Sequence, residues 1–347
     1  MRASSLIARR VSPVRFLFLR FLRHALLLLF LVFCGYLLWN SLTPQLPSPK
    51  KPILFYSNQA QQDLTLTFLE AMRKAKSSID LAIFGLTDSS ILKELKRQAK
   101  KGIEVKVYYD AKGSPPLKEV IPNCKLFPIQ QSALMHQKIL LIDNETLFLG
   151  SANMTSQSLQ MHDNLVIGLY SPKMAHFLKE KVARLPGHLQ TLVGSQEVDL
   201  WLLPDPKGEA LLELKKKIRK AEKKVYAALF TFTHPMLIEE LISAHKRGVE
   251  VILIIDLHSS LGASAKAIAE LHRAGISILV SQGVQLLHHK FVYIDEKCLI
   301  TGSANWTKAA FLKNNDALFI IHNLSSDQKK FLHSIWNRIA ISSRSLS

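Results

Sequence analysis

The sequence predicts an α/β fold made of two copies of one unit, and three observations support this prediction. Short apolar runs typical of buried strands alternate with amphipathic helical patterns from residue 53 onward. A run such as residues 251–255 (VILII) is apolar throughout, so we expect strands covered on both faces, in mixed or parallel sheets flanked by helices. Segments of the first half also recur in the second half. A chain of 347 residues, 48% hydrophobic and 21% charged, is long enough for one or two packed domains.

The duplication extends over several predicted elements. Residues 79–84 (IDLAIF) match residues 225–230 (VYAALF), and residues 101–105 (KGIEV) match residues 247–251 (RGVEV), each pair 146 residues apart. Each half therefore predicts an amphipathic helix, a buried strand, a second helix and another strand. The expected boundaries are helices over 64–75 and 210–221, helix ends at Gly102 and Gly248, and strand ends at Asp110 and Asp256.

The amino-terminal segment combines arginines with an apolar run. Six arginines lie within residues 1–23, and residues 25–39 carry no charge. This predicts a basic cytoplasmic segment over 1–23, a single-pass transmembrane anchor over 24–43 and a proline-rich linker over 44–52. The rest of the chain would then lie on the extracytoplasmic side. A cleaved signal peptide is the main alternative, which the long basic leader disfavours, and a buried core helix is the third.

The two repeats are expected to occupy residues 53–195 and 196–347. Of the net charge of +18, residues 1–50 contribute seven bases and no acid, which leaves 38 bases against 27 acids in the remainder. This basic balance fits an anionic partner, but solvated helix faces explain it equally well. The basic run 215–220 (KKKIRK) is interpreted in the second way, because the same predicted helix carries an apolar stripe.

One chemical pattern occurs twice, 152 residues apart. Because seven positions recur at identical spacing, each half is expected to supply an imidazole, an ammonium and an amide to one anionic group, for which phosphate is the obvious candidate. The two copies are His136, Lys138, Asp143, Gly150, Ser151, Ala152 and Asn153, and His288, Lys290, Asp295, Gly302, Ser303, Ala304 and Asn305.

The pattern is predicted to lie on a β-hairpin. Side chains alternate along a strand, so His136 and Lys138 share one face, and the same holds in the second copy. By the same alternation His289 faces away from the site, and His162 has no counterpart in the other copy, so both are interpreted as bystanders. Threonines that follow the asparagines suit the start of a helix, where backbone N–H groups favour an anion.

The cysteines do not indicate a metal site. Cys34, Cys124 and Cys298 form no Cys-x-x-Cys pair and no His/Cys spacing typical of zinc, so free thiols and no metal are predicted. No cofactor is expected.

The doubled pattern His-x-Lys, Asp, Gly-Ser-x-Asn resembles the phospholipase D superfamily over about residues 53 to 340. The second copy, with residues 305–310 (NWTKAA), is similar to the endonuclease-like and mitochondrial cardiolipin-hydrolase branch. Those relatives carry one motif and dimerise, whereas two motifs in one chain are typical of bacterial phospholipases D and cardiolipin synthases. The resemblance implies two phospholipase D-like repeats, each a mixed sheet flanked by helices, packed as a pseudo-dimer with one active site at the interface.

The resemblance also implies roles for individual residues. One imidazole forms a covalent phosphohistidine and the other protonates the leaving alcohol and then activates water; His136 is assigned as nucleophile and His288 as acid, and the reverse stays open. The catalytic set assigned from the two motifs also includes Lys138, Lys290, Asp143 and Asp295. Within it the two aspartates are expected to act structurally, at the hairpin turn.

Two further groups of residues follow from the resemblance. The phosphate-binding group is expected to stabilise the charge that develops on the non-bridging oxygens, and it comprises Ser151, Asn153, Ser303 and Asn305. A second pair, Asp163 and Asp316, is expected to accept a hydrogen bond from the second nitrogen of each histidine. The alternative for this pair is a structural role at the strand ends.

The leading functional hypothesis is a membrane-anchored phosphodiesterase that hydrolyses phospholipid headgroups. A variant of this hypothesis is transfer of the phosphatidyl group to another alcohol. Its expected partners are a phospholipid membrane and a phosphodiester substrate, with no obligate protein partner. The alternatives are a metal-independent endonuclease, a cardiolipin synthase-like phosphatidyltransferase, and a binding protein that has kept only the fold.

Overall fold

The computed structural model describes residues 13–182, 185–283 and 285–346. The chain divides into two compact units, Met1–Pro44 and Gln45–Ser347. The predicted basic segment over 1–23 therefore lies partly outside the described residues. The first unit contains one long helix, α1 (Pro13–Leu42).

The transmembrane anchor predicted over residues 24–43 is not supported. Among the helices that the structure describes, none has both the length and the apolar character needed to cross a bilayer.

The first repeat forms a seven-stranded mixed sheet with strand order β1-β7-β6-β5-β2-β3-β4. A short 3-10 helix, Asn58–Ala60, follows the first strand. The strands are β1 (Ile53–Tyr56), β2 (Ser78–Ile83), β3 (Glu104–Asp110), β4 (Lys125–Ile129), β5 (Lys138–Ile142), β6 (Thr146–Gly150) and β7 (Val166–Tyr170). The helices are α2 (Leu64–Arg73), α3 (Ser89–Lys100), α4 (Ser156–Gln160) and α5 (Pro172–Lys181).

The second sheet has nine strands and repeats the central order of the first. Strands β8 (Gly187–Val193) and β9 (Gln196–Leu202), which lie on either side of the predicted boundary at residue 195, both belong to it. The order is β16-β12-β11-β10-β13-β14-β15-β9-β8. The other strands are β10 (Lys224–Leu229), β11 (Glu250–Ile255), β12 (Ser277–Ser281), β13 (Lys290–Ile294), β14 (Cys298–Gly302), β15 (Ala317–Ile321) and β16 (Ser343–Ser345). The helices are α6 (Glu209–Arg219), α7 (Pro235–Lys246), α8 (Leu257–Leu261), α9 (Ala265–Arg273), α10 (Lys308–Leu312) and α11 (Ser326–Ile341).

The sheets are mixed, as the apolar runs predicted. Strands β2, β3 and β4 are parallel, whereas the hairpin β5–β6 and strand β7 are antiparallel, and the second repeat has the same arrangement. Along β5, Ile139 and Leu141 face a core shared by both sheets, and Leu140 and Ile142 face the helices of their own repeat. Because both faces are buried, the strand is apolar at every position after its lysine.

The basic run at residues 215–220 lies on α6, as predicted, and its cations pair with acids on the helix surface. Lys217 Nζ lies 2.9 Å from Glu213, and Arg219 lies 2.6 Å from Glu240 of α7. Leu214 and Ile218 are fully buried on the other face. Lys216, Arg219 and Lys220 are therefore solvated, whereas Lys215 is buried 3.5 Å from Glu240.

The glycine that ends β14 is required by the neighbouring strand. Gly302 has φ +143°, and a Cβ at this position would lie 2.1 Å from the carbonyl oxygen of Ala317 on β15. Gly150 is equivalent, with an added Cβ 2.2 Å from the Leu165 carbonyl oxygen. The close approach that the sequence suggested for these glycines thus involves an adjacent strand.

Gly302→Ala is expected to lower the free energy of unfolding by about 2 kcal/mol or more. The added Cβ would clash with the backbone of β15, and φ at residue 302 is unfavourable for alanine. Gly35→Ala is the matched control, since an added Cβ there meets no described atom within 4 Å. Chemical denaturation of both variants measures the difference. Equal stability of Gly302→Ala and the wild type would contradict the packing described here.

Candidate active site

Both motif histidines lie two residues before the first residue of a central strand. Lys138 pairs with Ile83 at the end of β2, and Lys290 pairs with Leu229 at the end of β10. The backbone continues this pairing, because the N–H of Phe84 donates to the Gln137 carbonyl at 3.1 Å and that of Phe230 donates to the His289 carbonyl at 2.8 Å. The backbone thus fixes each histidine at the end of a central strand of its own sheet.

Backbone hydrogen bonds connect the segment that carries each histidine to the opposite repeat. The N–H of His136 donates to the carbonyl of Asn315 at 2.7 Å, and the N–H of His288 donates to the carbonyl of Asp163 at 3.0 Å. Met135 and Leu287, the residues before the histidines, form β-bridges to the same two partners. The segment that carries each histidine is therefore paired with the opposite repeat.

The side chains repeat this crossed arrangement. Nδ1 of His136 lies 2.8 Å from Oδ1 of Asp316, and Nδ1 of His288 lies 3.0 Å from Oδ1 of Asn164. Asp316 thus orients a histidine, as predicted, and its carboxylate accepts the Nδ1 proton of His136 when that nitrogen is protonated. Each repeat supplies the orienting residue for the other repeat's imidazole.

The same role predicted for Asp163 is wrong. Asn164 lies fourteen residues beyond Gly150, as Asp316 lies fourteen beyond Gly302, so Asn164 is the true counterpart. Asp163 contributes its backbone to the bridge with Leu287, and its Oδ1 has no hydrogen-bond partner among the described residues. Burial, together with the nearby charge of Asp256, raises the pKa of Asp163 to about 7.

The motif serines hold the orienting residues. Ser303 Oγ donates to Asp316 at 2.7 Å and accepts from the backbone N–H of Ala317 at 2.9 Å. Ser151 Oγ donates to Asn164 Oδ1 at 2.8 Å in the same way. Their hydroxyl protons are occupied, so the structure gives Ser151 and Ser303 a positioning role instead of the phosphate-binding role predicted from sequence.

The two lysines are buried and directed back to their own histidines. Lys138 Nζ donates to the His136 carbonyl at 2.7 Å, and Lys290 Nζ donates to the His288 carbonyl at 2.8 Å. Burial lowers the pKa of Lys138 to about 7, against the opposing effect of Asp316. Burial and the charge of Lys138 lower the pKa of Lys290 well below its ordinary value. An anion bound between the lysines would stabilise the protonated form of both.

The two imidazoles differ in their electrostatic surroundings. Burial and Lys138 lower the pKa of His136, while the adjacent carboxylate of Asp316 opposes the shift. For His288, burial, Lys290, Lys138 and His136 all lower the pKa, and its partner Asn164 carries no charge to oppose them. The near symmetry of the sequence therefore ends in two chemically distinct histidines.

The motif asparagines are partly exposed at the start of α4 and α10. Oδ1 of Asn153 accepts a hydrogen bond from the backbone N–H of Gly85 at 3.3 Å, and this bond orients the side-chain amide of Asn153. Oδ1 of Asn305 is buried without a hydrogen-bond partner among the described residues. Both positions are compatible with the predicted contact to a phosphate oxygen, which stays a prediction.

The motif aspartates lie at the far end of the hairpin strand from the histidines. Asp143 accepts hydrogen bonds from the backbone N–H groups of Lys76, Ser77 and Ser78 at 2.7 to 3.0 Å. Asp295 accepts three equivalent bonds from residues 222–224. They anchor a turn to the start of β2 or β10, a position that fits the structural part expected for these two members of the motif.

Several residues of the site were not found from the sequence. Phe84 lies with its ring centroid 5.3 Å from that of His136 and also 5.3 Å from Lys138 Nζ, and Phe230 repeats both contacts in the second copy. Asp110 and Asp256 accept from the backbone N–H of Met135 and Leu287 at 2.9 and 3.2 Å. The duplication could have indicated these residues, because Phe230 lies 146 residues after Phe84 and Asp256 lies 146 residues after Asp110.

Of the two histidines interpreted as bystanders, one lies at the site. The ring centroid of His162 is 6.1 Å from that of His288. His289 faces away, as predicted: its Nε2 contacts Gln59 Oε1 at 2.5 Å, and burial lowers its pKa to about 3.

Among the described residues, no cluster of three or more His, Cys, Asp or Glu side chains is arranged to hold a metal ion. The three cysteines are free, as predicted.

The fold and this composite site define a duplicated α/β protein with one site shared between its repeats. A family model described as "Cardiolipin synthase, PLD-like domain" matches residues 68–185 and 214–336, which is more than half of the chain. The chain therefore belongs to the phospholipase D superfamily, as its motifs suggested. The two matched segments correspond to the two repeats.

Individual relatives match a smaller part of the chain. The mitochondrial cardiolipin hydrolase of Canis lupus familiaris is 34% identical over 119 residues, which are 34% of this chain and 46% of the relative. A phospholipase D of Rickettsia conorii is 34% identical over 107 residues, which are 31% of this chain and 53% of the relative. The chain thus spans about half the length of the curated relatives it matches. The crystal structure of phosphatidylserine synthase from Haemophilus influenzae covers 87% of this chain and 89% of its own at a TM-score of 0.69; at 14% identity this likeness concerns the fold.

Asp143→Asn is expected to lower the free energy of unfolding at neutral pH by about 1 kcal/mol, because it weakens several hydrogen bonds to one partly exposed turn. Burial raises the pKa of Asp143, but the backbone donors of Ser78, Ser77 and Lys76 outweigh it, and the folded pKa lies below the ordinary value. The stabilisation is then present above the unfolded pKa of about 4 and disappears as the pH falls through the folded pKa. Denaturation at pH 7 and at acid pH measures both effects.

Glu119→Gln, on an exposed loop, is the control for this experiment. A loss of stability in Asp143→Asn that is the same at acid and neutral pH would contradict the linkage.

Proposed function

We propose that this protein is a phosphodiesterase that hydrolyses phospholipid headgroups through a phosphohistidine intermediate. The observation that carries the proposal is the crossed pairing of His136 with Asp316 and of His288 with Asn164, with a buried lysine beside each imidazole. In the proposed site the Nε2 atoms of the two histidines, one from each repeat, would act on one phosphorus atom, and the lysines would supply cations for the phosphate oxygens.

In the first half-reaction, neutral His136 attacks phosphorus through Nε2. The N–P bond forms as the bond from phosphorus to the leaving oxygen breaks, and that oxygen takes the electron pair. His288 donates its Nε2 proton to the oxygen, so the alcohol leaves neutral. The phosphorylated ring of His136 retains its proton on Nδ1, which donates a hydrogen bond to Asp316, and the ring therefore carries a positive charge.

In the second half-reaction, His288 is neutral and acts as a base. It accepts a proton from water while the water oxygen attacks phosphorus, and the N–P bond breaks with its electrons returning to His136. The products are a phosphate monoester, such as a phosphatidic acid, and the enzyme with its original protonation. An alcohol in place of water would give transfer, which the family description of a cardiolipin synthase domain makes the second candidate.

The unequal partners support the assignment of His136 as nucleophile. A carboxylate on Nδ1 stabilises the cationic phosphohistidine more than a neutral amide does. An amide on His288 leaves its protonated form a stronger acid, which suits a proton donor to a leaving alkoxide. The order predicted from sequence is therefore retained on electrostatic grounds.

A phospholipid substrate is favoured over nucleic acid by the curated relatives. Those quoted above are named for cardiolipin and for phospholipids. Association with a membrane is also proposed, because apolar residues 26–32 of α1 are each more than half exposed. The membrane side expected from the arginines presupposes a spanning helix and is not part of the proposal.

The substrate test uses the purified full chain in the presence of a chelator. Phosphatidylcholine, cardiolipin and single-stranded DNA are supplied in parallel, and added glycerol or ethanol detects transfer as a new phosphatidyl product. Release of headgroup from phospholipid is expected. Cleavage of DNA alone would refute the proposal.

His136→Ala and His288→Ala are each expected to reduce turnover by about 10⁴-fold or more, because one shared site requires both imidazoles. His289→Ala changes a buried histidine that faces away and serves as a control for folding effects. Turnover is compared for variants whose unfolding midpoints equal that of the wild type. A fully active single variant would exclude the shared site.

Asn164→Asp is expected to raise the pKa of His288, since it adds a carboxylate to Nδ1. The falling limb of the pH profile of kcat, which reports loss of the acid's proton, should move to higher pH by about one unit. The reciprocal variant, Asp316→Asn, should lower kcat by about 10²-fold or more. If Asn164→Asp instead moved only the rising limb, the roles of the two histidines would be reversed.

A further inference from the structure

Exposed apolar side chains lie at the two places where the repeats bridge next to the histidines. On one side Leu134, two residues before His136, is 36% exposed, and Leu312, at the end of α10, is 51% exposed. On the other side Met161, at the end of α4, is 54% exposed. Large apolar side chains on surface segments beside a functional site mark a contact with a partner.

Leu134 is joined to the site by hydrogen bonds, and Leu312 and Met161 lie within four residues of Asp316 and Asp163 along the chain. The N–H of Leu134 donates to Asn314 Oδ1 at 3.2 Å and its carbonyl accepts from Asn315, which joins it to the segment between Leu312 and Asp316. Met161 immediately precedes His162, whose ring lies against His288. Leu134, Leu312 and Met161 thus all lie next to the two bridges between the repeats.

The charges of the same segments have one sign on the outside. Residues 130–135, 155–163 and 305–315 are described throughout, and their only acid is Asp163, which is buried. Lys308 and Lys313 are exposed among them. Apolar side chains beside exposed cations complement an anionic phospholipid surface, where the chains enter the acyl region and the cations meet headgroups.

We infer that Leu134, Met161 and Leu312, with Lys308 and Lys313, form a rim that inserts into an anionic phospholipid bilayer and brings the site to a headgroup. This inference rests on the proposed function and specifies the form of its substrate, which is a lipid within a surface. Nucleic acid offers phosphates for the lysines but no apolar phase for the three other side chains.

The test compares two full-chain variants on two physical forms of one lipid. The rim variant is Leu134→Asn with Met161→Asn and Leu312→Asn. The matched control is Leu192→Asn with Leu212→Asn, which changes side chains that are 64% and 58% exposed on β8 and α6, away from the bridges. The substrates are vesicles of phosphatidylglycerol and phosphatidylcholine, and short-chain phosphatidylglycerol dispersed as monomers.

The rim variant should hydrolyse vesicles about tenfold more slowly than the wild type, or slower still, and monomers within about twofold of it. The control variant should keep both activities. Undiminished vesicle hydrolysis by the rim variant would overturn the inference, and so would an equal loss on both forms. Loss of DNA cleavage with vesicle hydrolysis intact would also overturn it, in favour of a nucleic-acid surface.

A second measurement separates the rim from the proposed reaction. In a chain with Cys34, Cys124 and Cys298 replaced by alanine, an environment-sensitive fluorophore is attached through Met161→Cys, or through Leu192→Cys as control. Anionic vesicles should shift the emission of the first probe to shorter wavelength and leave the second unchanged. This result without any phospholipid hydrolysis would refute the proposed function alone, whereas an unshifted Met161→Cys probe refutes the rim.

Discussion

The site depends on a crossed exchange between the two repeats. Each histidine is fixed by backbone in one sheet, but its Nδ1 partner and the carbonyl that binds its N–H come from the other repeat. Neither repeat can orient its own imidazole. The large apolar core between the two sheets, together with these bridges, is therefore a condition for chemistry as well as for stability.

Burial gives the exchange its electrostatic effect. Two ammonium groups and two imidazoles share a region where burial lowers the pKa of all four side chains, and Asp316 is the carboxylate that bonds directly to one of the imidazoles. Such a site has a deficit of negative charge that a phosphodiester would supply. The hydrogen bond with Asp316 also makes the two histidines unequal, and in the proposed reaction this inequality would let one bond to phosphorus while the other carries the proton.

Pattern-based inference succeeded for the direction of side chains along a strand. Alternation at the start of β5 placed His136 and Lys138 on one face, and alternation at the start of β13 turned His289 away, because side-chain direction in a strand follows from parity alone. It failed for partners that lie far apart in the chain. Asp163 was chosen for its charge, yet the position that reaches His288 is held by Asn164, and a one-residue change in a strand register reverses the direction of a side chain.

Local periodicity and spacing were enough to predict the duplication, the mixed α/β sheets and both motifs. The packing of the two repeats determines which side chains reach the imidazoles, that the serines hold those partners, and that the motif aspartates anchor turns. Those contacts cross from one repeat to the other, or from one end of a hairpin to a distant strand. Spacing along the chain carries no information about such distances until the sheets are packed.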